Sequence, residues 1–381
     1  MKPEITKQLD ETLRRKLQAL PEFAVEYIFS LEYKDTELRT RVEYAKDVKL
    51  FFDFLIESGK ADGNSAMDIT PSSLSKLQER DIRDYFSYLT SYTRTYHSST
   101  GKKVVQSYTN SNQGKARKRA AIFRFFEHLV DHDQLNKNIV RNVKIRINKE
   151  VSMKSRLTEE DIKNYFAAIV DDRGELTDRE KVYQTKLKER NYVIALLFSY
   201  TGIRVSELVQ LDIDDISVKH EQMIVTRKSG KQEAIKLPSS ILEDIREYII
   251  TREKLNVPTN ALFVSLHKKR MNPKSVANLL EKYQQRAGID IKVTPHTFRR
   301  TFGTRHYNKY RDMYLTAEIM GHETADTTKK FYANASEKRK DQSMEDFDYG
   351  SDSPSSSPTL NMEKIEKLAE KLGVSVEDLM K

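Results

Sequence analysis

The sequence of 381 residues contains no cysteine. A disulfide framework, a cysteine-based zinc site and a thiol nucleophile are therefore excluded. Long apolar runs are missing too, since no stretch approaches the roughly 18 apolar residues that a membrane span needs. The charged opening segment, MKPEITKQLDETLRRKLQAL, lacks the apolar stretch of a signal peptide. We therefore expect a cytoplasmic protein whose chemistry relies on other side chains.

Basic residues outnumber acidic ones in this highly charged sequence. Lys and Arg total 66 and Asp and Glu total 57, which gives a formal net charge of +9 at pH 7. Hydrophobic residues make up 38% of the chain, enough to bury cores beneath a charged surface. The excess of cations favours a polyanionic partner, although solubility alone would explain it equally well.

Apolar periodicity and composition divide the sequence into five segments. They predict a mainly α fold with a small β-sheet, in which a helical domain precedes a mixed α/β domain. The segments are a helical N-terminal domain at 1–145, a basic linker at 146–156, a mixed domain at 157–344, a flexible acidic Ser/Pro-rich linker at 345–360 and an amphipathic helix at 361–381.

The first third of the sequence is predicted to be helical. Apolar residues recur there at helical spacing in two runs, the first of which ends at Ser58-Gly59. The runs are Val42, Ala45, Val48, Phe51, Phe52 and Leu55, and then Ile122, Phe125, Phe126 and Leu129.

Two basic groups flank the second apolar run. They are Lys115, Arg117, Lys118 and Arg119 before it, and Lys144, Arg146, Lys149 and Lys154 after it. A DNA-binding face would place such cations opposite phosphates, whereas a solvated helix face would have the same composition. Both interpretations stay open, and these eight residues are our candidates for DNA binding.

Local signals mark the elements of the second domain. Thr158 offers a hydroxyl N-cap with an acid three residues later, so a helix should begin there. A buried helix at 192–200 should stop at Thr201-Gly202, and another should begin near Val205. Residues 223–226 and 234–237 are predicted to form two short strands around a glycine turn. Most of the remainder to about Lys340 is predicted to be helical.

Phosphodiester transfer without a metal or cofactor requires a nucleophile, cations around the non-bridging oxygens and a proton donor for the leaving oxygen. The second domain contains candidates for each role. They are Arg204 with Glu207, Lys228 at the tip of the predicted hairpin, His296 with Arg299, and His322 followed by Tyr332. Singly, each has a structural explanation, such as a packed tyrosine, a solvated turn lysine or a surface ion pair.

The candidate catalytic residues lie in five motifs that occur in a defined order, and this combination is far more specific than any single residue. TGIRVSEL, VTRKSGK, PHTFRRTFGT, IMGH and TTKKFYANA together resemble the signature of the tyrosine recombinase (phage integrase) family. The resemblance covers residues 155–340, and the helical N-terminal region is similar to the family's core-binding, DNA-binding domain. Within the family, the sequence most resembles the Xer-type recombinases of low-GC Gram-positive bacteria that work as a single protein.

The resemblance implies a role for each motif residue. Arg204 and Arg299 would clamp the scissile phosphate, Lys228 would protonate the leaving 5′ oxygen, and His296 would help to move the proton of the nucleophile. His322 would hydrogen-bond the phosphate, and Glu207 would support the helix that presents Arg204. Tyr332 would attack phosphorus and form a 3′-phosphotyrosyl bond, so that neither a metal nor another cofactor is needed. The implied partners are duplex DNA with a specific site and three further copies of the chain in a tetramer, with no membrane.

Two positions depart from the family pattern. Arg300 stands where the family usually has His after the motif Arg, which implies altered packing or an added phosphate contact. The commonest spacing from the motif His to the nucleophile lands on Phe331, whereas Tyr332 lies ten residues beyond His322. Phenylalanine has no nucleophilic atom, so Tyr332 remains the candidate.

Two other classes of protein share parts of this pattern. A type IB topoisomerase would use the same chemistry to relax DNA, and a non-catalytic DNA-binding relative would have lost parts of the constellation. A metal-dependent nuclease fits poorly, because neither an H-E-x-x-H motif nor a dense carboxylate cluster accompanies the histidines. The target site stays open, as does the choice between chromosome dimer resolution and integration of a mobile element.

The C-terminal segment has one apolar face at helical spacing. It is formed by Met362, Ile365, Leu368, Ala369 and Leu372. So short a helix needs a surface to bury this face. The resemblance implies docking on a neighbouring protomer, while packing on its own domain or binding to an independent partner remain alternatives.

Overall fold

The computed structural model describes residues 2–34, 36–98, 101–147, 155–174, 178–227 and 230–321. The chain divides into two compact units, with the division between Lys154 and Ser155. The predicted fold class, mainly α with small β-sheets, is confirmed. Within the described ranges, no helix is both long and apolar enough to cross a membrane.

The first unit consists of six helices and one β-hairpin in its described part. The helices are α1 (Pro3–Leu17), α2 (Glu22–Ser30), α3 (Leu38–Glu57), α4 (Pro71–Ser75), α5 (Glu79–Tyr88) and α6 (Asn112–Asp131), and the strands are β1 (Ser91–His97) and β2 (Lys103–Thr109). The two predicted apolar runs lie on α3 and α6, where they form the core. Phe52 and Phe125 are fully buried with ring centroids 5.7 Å apart, and each buried side chain of this size contributes about 1.5–3 kcal/mol.

The hairpin of β1 and β2 corrects the prediction that this region is helical. Its strands pair in antiparallel register, with Tyr92 opposite Tyr108 and their rings stacked 5.3 Å apart. The segment Ser91–His97 alternates hydroxyl-bearing, aromatic and basic residues, which is a strand pattern rather than a helical one. Arg94 forms an ion pair with Asp53 of α3, which ties the hairpin to the helical core.

The second unit contains seven described helices and a three-stranded antiparallel sheet of order β3-β4-β5. The helices are α7 (Glu159–Val170), α8 (Asp178–Thr201), α9 (Val205–Leu208), α10 (Leu242–Lys254), α11 (Pro273–Arg286), α12 (Pro295–Tyr310) and α13 (Met313–Ile319), and the strands are β3 (Ile216–Ser217), β4 (Gln222–Thr226) and β5 (Gln232–Lys236). The predicted hairpin corresponds to β4 and β5, and β3 adds a two-residue strand that the sequence analysis missed.

Capping and packing of helices position the motifs of this unit. The predicted N-cap of α7 is confirmed, since Thr158 accepts a 3.0 Å hydrogen bond from the Asp161 N–H and its own N–H donates to the Asp161 carboxylate. Thr294 caps α12 in the same way through Thr297. The rings of Phe198 on α8 and Phe298 on α12 stack 6.0 Å apart. The end of α8 is therefore held against the start of α12.

Parts of the predicted organisation lie outside the described residues. These are residues 148–154 of the basic linker, residues 322–344 of the second domain, the Ser/Pro-rich linker at 345–360 and the C-terminal helix at 361–381.

Candidate active site

The first arginine of the candidate site, Arg204, is the N-cap residue of α9. Glu207 accepts a 2.9 Å hydrogen bond from the Arg204 backbone N–H through Oε2 and a 2.7 Å ionic hydrogen bond from Arg204 Nη1 through Oε1. Only 3% of the Glu207 side chain is exposed, against 29% for Arg204. The pair is thus a buried carboxylate that holds a partly accessible guanidinium, rather than the surface ion pair that a local pattern would also allow.

The second arginine, Arg299, lies on α12 and is buried. Its Nη1 donates to the carbonyl oxygen of Gly202 over 2.6 Å, and its Nη2 donates to the carbonyl oxygen of Met320. Arg204 Nη2 donates to the next carbonyl, that of Gly321, over 2.7 Å. The two predicted phosphate-clamping arginines therefore converge on consecutive carbonyl groups.

These carbonyl groups follow the end of α13. Carbonyls in the last turn of a helix have no partner within the helix, and they lie at the negative end of its dipole. Met320 and Gly321 directly precede His322 in the sequence. The arginine pair thus sits beside the point where the chain continues into the motif that contains the predicted histidine and nucleophile.

His296 lies on α12 one turn before Arg299, as the sequence predicted. His296 is exposed, whereas Arg299 is buried. Residues three apart are neighbours on a helix surface, so an accessible imidazole borders the buried guanidinium.

A third arginine, Arg227, belongs to the same cluster and was missed by the sequence analysis. It follows β4 and makes two parallel 2.9 Å hydrogen bonds with the carboxylate of Glu233, from Nε and Nη2. Its Nη1 donates to Glu207 Oε2 over 3.1 Å, and its Nη2 also contacts the carbonyl oxygen of Ile319 at 3.3 Å. A signal existed in the strand alternation, because Met223 and Val225 are buried on β4 and residue 227 continues that face.

The electrostatics of the cluster favour an anionic ligand. Among the described residues, Arg204 and Arg227 pair with the carboxylates of Glu207 and Glu233, whereas Arg299 donates to carbonyl oxygens. Three guanidinium groups and two carboxylates leave one positive charge in excess. The hydrogen bonds from Arg227 lower the pKa of Glu233 and keep it ionised. No group of His, Asp or Glu within the described ranges is arranged to hold a metal ion.

Arg300, one of the two departures from the family pattern, has a packing role in this structure. Its Nη2 donates to the carbonyl oxygen of Ser155 over 3.1 Å and contacts Thr297 Oγ1 at 3.4 Å. Burial, with the nearby charge of Arg156, lowers its pKa. The residue therefore fastens the first residues of the second unit to α12.

Three further candidates for catalysis lie outside the described residues, namely Lys228, His322 and Tyr332. Their flanking residues are described. Arg227 directly precedes Lys228 in the sequence, and its N–H donates to the Lys231 carbonyl oxygen over 2.8 Å. Gly321 precedes His322 and contacts Arg204.

The first basic group of the N-terminal unit makes internal contacts. Arg117 and Lys118 each bond Asp47 Oδ1 at 3.0 Å, and this aspartate is only 1% exposed. Lys115 Nζ donates to Thr90 Oγ1 over 2.6 Å. Arg117 keeps 46% of its side chain exposed while Lys118 keeps 13%. Arg117 and Lys118 therefore neutralise a buried carboxylate, and they have this structural role in addition to any contact with DNA.

Arg119 has the most internal contacts of this group. Its guanidinium donates to the carbonyl oxygens of Val140 and Arg141 over 3.1 Å and also to that of Val143. Lys144 and Arg146 of the second basic group are exposed. Lys149 and Lys154 lie outside the described residues.

Comparison with known proteins gives consistent matches. Residues 155–339 match the model of the phage integrase family. Tyrosine recombinase XerS of Lactococcus lactis subsp. cremoris is 27% identical over 339 residues, which cover 84% of this chain and 94% of the relative.

Two solved structures are similar in fold. One is the XerH site-specific recombinase bound to a palindromic difH substrate after cleavage, with a TM-score of 0.60, 18% identity and coverage of 88% of this chain and 94% of that one. The other is a lambda integrase tetramer bound to a Holliday junction, with a TM-score of 0.53, 15% identity and coverage of 80% and 77%.

Proposed function

Since this chain belongs to the phage integrase family of tyrosine recombinases, we propose that it breaks and rejoins duplex DNA at specific sites through a covalent bond to Tyr332. The observation that carries the proposal is the convergence of Arg204 and Arg299 on the two carbonyl groups directly before His322. Two guanidinium forks that meet at one place can neutralise a phosphate as its charge rises in the transition state.

The chemistry is a pair of reversible transesterifications. The Tyr332 hydroxyl oxygen attacks phosphorus while its proton leaves with the help of His296, and the bond from phosphorus to the 5′ oxygen breaks. Lys228 donates a proton to that 5′ oxygen, and His322 hydrogen-bonds the phosphate. The 3′-phosphotyrosyl bond preserves the energy of the broken linkage, so the 5′ hydroxyl of another strand can reverse the step without ATP.

The proposed active form is a homotetramer on two DNA sites. The similar structures are those of XerH on its difH substrate and of a lambda integrase tetramer on a Holliday junction. A tetramer supplies one nucleophile for each of the four strands that recombination exchanges. Within it, the C-terminal helix at 361–381 would dock on a neighbouring protomer, and the basic residues from Lys115 to Lys154 would contact DNA. We propose that the protein acts in the cytoplasm, where a bacterial chromosome lies.

The decisive experiment replaces the nucleophile. Tyr332→Phe should abolish a gel-stable adduct with a nicked suicide substrate while leaving DNA binding unchanged, because the change removes the hydroxyl but no phosphate clamp. Tyr349 is the next tyrosine after Tyr332 in the sequence, so Tyr349→Phe is the matched control and should form the adduct normally. An adduct that persists in Tyr332→Phe and disappears in Tyr349→Phe would show that the nucleophile is misassigned.

Two further measurements define the reaction. A supercoiled plasmid without the target site should not be relaxed, whereas a type IB topoisomerase would relax it. Sequencing the DNA that is covalently attached to the wild-type protein in cells should identify the site. A chromosomal site near the replication terminus would indicate dimer resolution, and the ends of a mobile element would indicate integration or excision.

A further inference from the structure

Arg227 is buried at the junction of three structural elements. Only 8% of its side chain is exposed. Its guanidinium contacts Glu233 on β5, Glu207 on α9 and the carbonyl oxygen of Ile319 at the end of α13. Every branch of the fork is therefore directed into the protein, so Arg227 is not placed to clamp a ligand itself.

The carboxylate of Glu207 connects Arg227 to Arg204. Its Oε1 accepts from Arg204 Nη1, while its Oε2 accepts from both the Arg204 backbone N–H and Arg227 Nη1. A carboxylate bonded on both oxygens has one orientation. Without Arg227, Glu207 would lose one of its hydrogen bonds and could change orientation. The guanidinium of Arg204 would then be held less firmly.

Gly321 provides a second and independent connection. A Cβ atom added to this residue would lie 2.5 Å from Cζ and 2.7 Å from Nε of Arg227, and its φ of +60° is in the left-handed region. Glycine alone lets the guanidinium of Arg227 lie directly against the backbone here. The carbonyl oxygen of the same glycine accepts the hydrogen bond from Arg204 Nη2.

We propose that Arg227 is a positioning residue for DNA cleavage, which fixes the phosphate-clamping fork of Arg204 through the shared carboxylate of Glu207 and through its contact with Gly321. The role rests on the proposed function, since Arg204 must clamp the scissile phosphate. Arg227 itself does not touch the DNA. It acts by limiting the orientations of Arg204 before DNA binds.

Two variants test this role. Arg227→Lys keeps the charge but loses the planar fork, so it cannot hold Glu207, Glu233 and Ile319 together. Glu233→Gln removes the charge that anchors Arg227 from the other side, and this residue is 33% exposed, so the fold should tolerate the change. Thermal melting verifies that both variants fold.

Arg270→Lys is the matched control. The Arg270 side chain is also 8% exposed, pairs with Asp212 at 2.6 Å and donates to the carbonyl oxygens of Val209 and Leu211. Val209 is the C-cap residue of α9, whereas Arg204 is its N-cap residue. The control thus removes a comparable buried fork at the opposite end of the same helix, and its cleavage rate should remain that of the wild type.

The readout compares three suicide substrates built on the site recovered by covalent trapping. One has an ordinary scissile phosphodiester. The second has a methylphosphonate, which carries no negative charge and so depends less on a guanidinium clamp. The third has a bridging sulfur at the 5′ position, which leaves without the proton that Lys228 would supply. Total strand cleavage is measured for each.

We expect Arg227→Lys to cleave the phosphodiester roughly 10- to 100-fold more slowly than the wild type, as small displacements of a catalytic group do. This deficit should shrink on the methylphosphonate, as it should for Arg204→Ala, and should persist on the 5′-thio substrate. Glu233→Gln should show the same pattern to a lesser extent.

Other outcomes contradict the proposal. Equal deficits on all three substrates would indicate a purely structural role for Arg227, and rescue by the 5′-thio substrate alone would place its effect on the leaving group instead of on Arg204. Wild-type cleavage by Arg227→Lys would show that Arg204 needs no such support. A wild-type protein that traps no DNA would contradict the proposed function, which is a separate failure.

Discussion

Replacement of Gly202 by alanine should damage both the stability of the second unit and the active site. Gly202 directly follows α8 with a φ of +59°, and an added Cβ would overlap the ring of Phe302, with Cγ only 3.0 Å away. The Gly202 carbonyl oxygen accepts the 2.6 Å hydrogen bond from Arg299. The added methyl group would therefore strain the backbone, collide with an aromatic ring and move the acceptor that orients Arg299, one of the two proposed phosphate-clamping arginines.

The expected loss of stability can be estimated from two contributions. A left-handed conformation costs a residue with a Cβ about 1–2 kcal/mol, and forcing a methyl group into packed surroundings costs about 1–3 kcal/mol more. Each kcal/mol lowers the melting temperature of a unit of this size by about 2–4 °C. Gly202→Ala should therefore lower the Tm of the second unit by roughly 4–20 °C.

Gly288→Ala provides the matched control. Gly288 has a similar φ of +64°, but nothing lies within 4 Å of an added Cβ. This variant should incur only the backbone cost, with a Tm lowered by about 2–8 °C, and should keep the wild-type rate of adduct formation. Gly202→Ala should lose more stability and should also cleave more slowly. If the two variants melt and cleave alike, Gly202 is not closely packed against Phe302 and its carbonyl group does not orient Arg299.

Three other predictions concern the first unit, DNA binding and the C-terminal segment. Burial and the neighbouring His132 lower the pKa of His128 from 6.5 to about 4. Between these two pH values His128 binds a proton in the unfolded chain but not in the folded unit. The stability of the first unit should therefore fall as the pH drops from about 6.5 to 4. A melting curve of His128→Phe that keeps the wild-type pH dependence would contradict this. The DNA-binding constant should fall steeply between low and physiological salt because Lys and Arg displace counterions from phosphates, and a constant that does not change would refute phosphate contacts. Deletion after Gly350 should preserve half-site cleavage but impair synapsis, and normal recombination of full sites with unchanged assembly on a native gel would rule out docking in trans.

The elements that could be predicted from the sequence are those with local causes. The apolar faces of α3 and α6 and the capping box at Thr158 depend on residues within one or two helical turns of each other. The motif arginines were identified as a pair only through the family resemblance. Their convergence on Met320 and Gly321 depends on segments about a hundred residues apart, which no local pattern reveals.

The missed features have two different physical causes. The β1–β2 hairpin has a local signal in its period-two alternation, but the helical periodicity on both sides of it favours helix for the whole region. The role of Arg227 had only a partial signal. Its strand register predicts an inward side chain, but the partners that make a buried guanidinium stable include Glu207, 20 residues earlier, and the carbonyl oxygen of Ile319 on another element. Similarly, composition could not reveal that Arg119 binds three carbonyl groups of its own unit.

Arg204 and Arg299 donate hydrogen bonds to backbone carbonyl oxygens, which a phosphate could replace. A buried guanidinium without acceptors would be costly. The carbonyl oxygens of Gly202 and Met320 accept from the buried Arg299, and that of Gly321 accepts from the partly exposed Arg204. These acceptors are neutral. A phosphate forms charge-assisted hydrogen bonds that are roughly twice as strong, so exchange of the carbonyls for phosphate oxygens should favour binding.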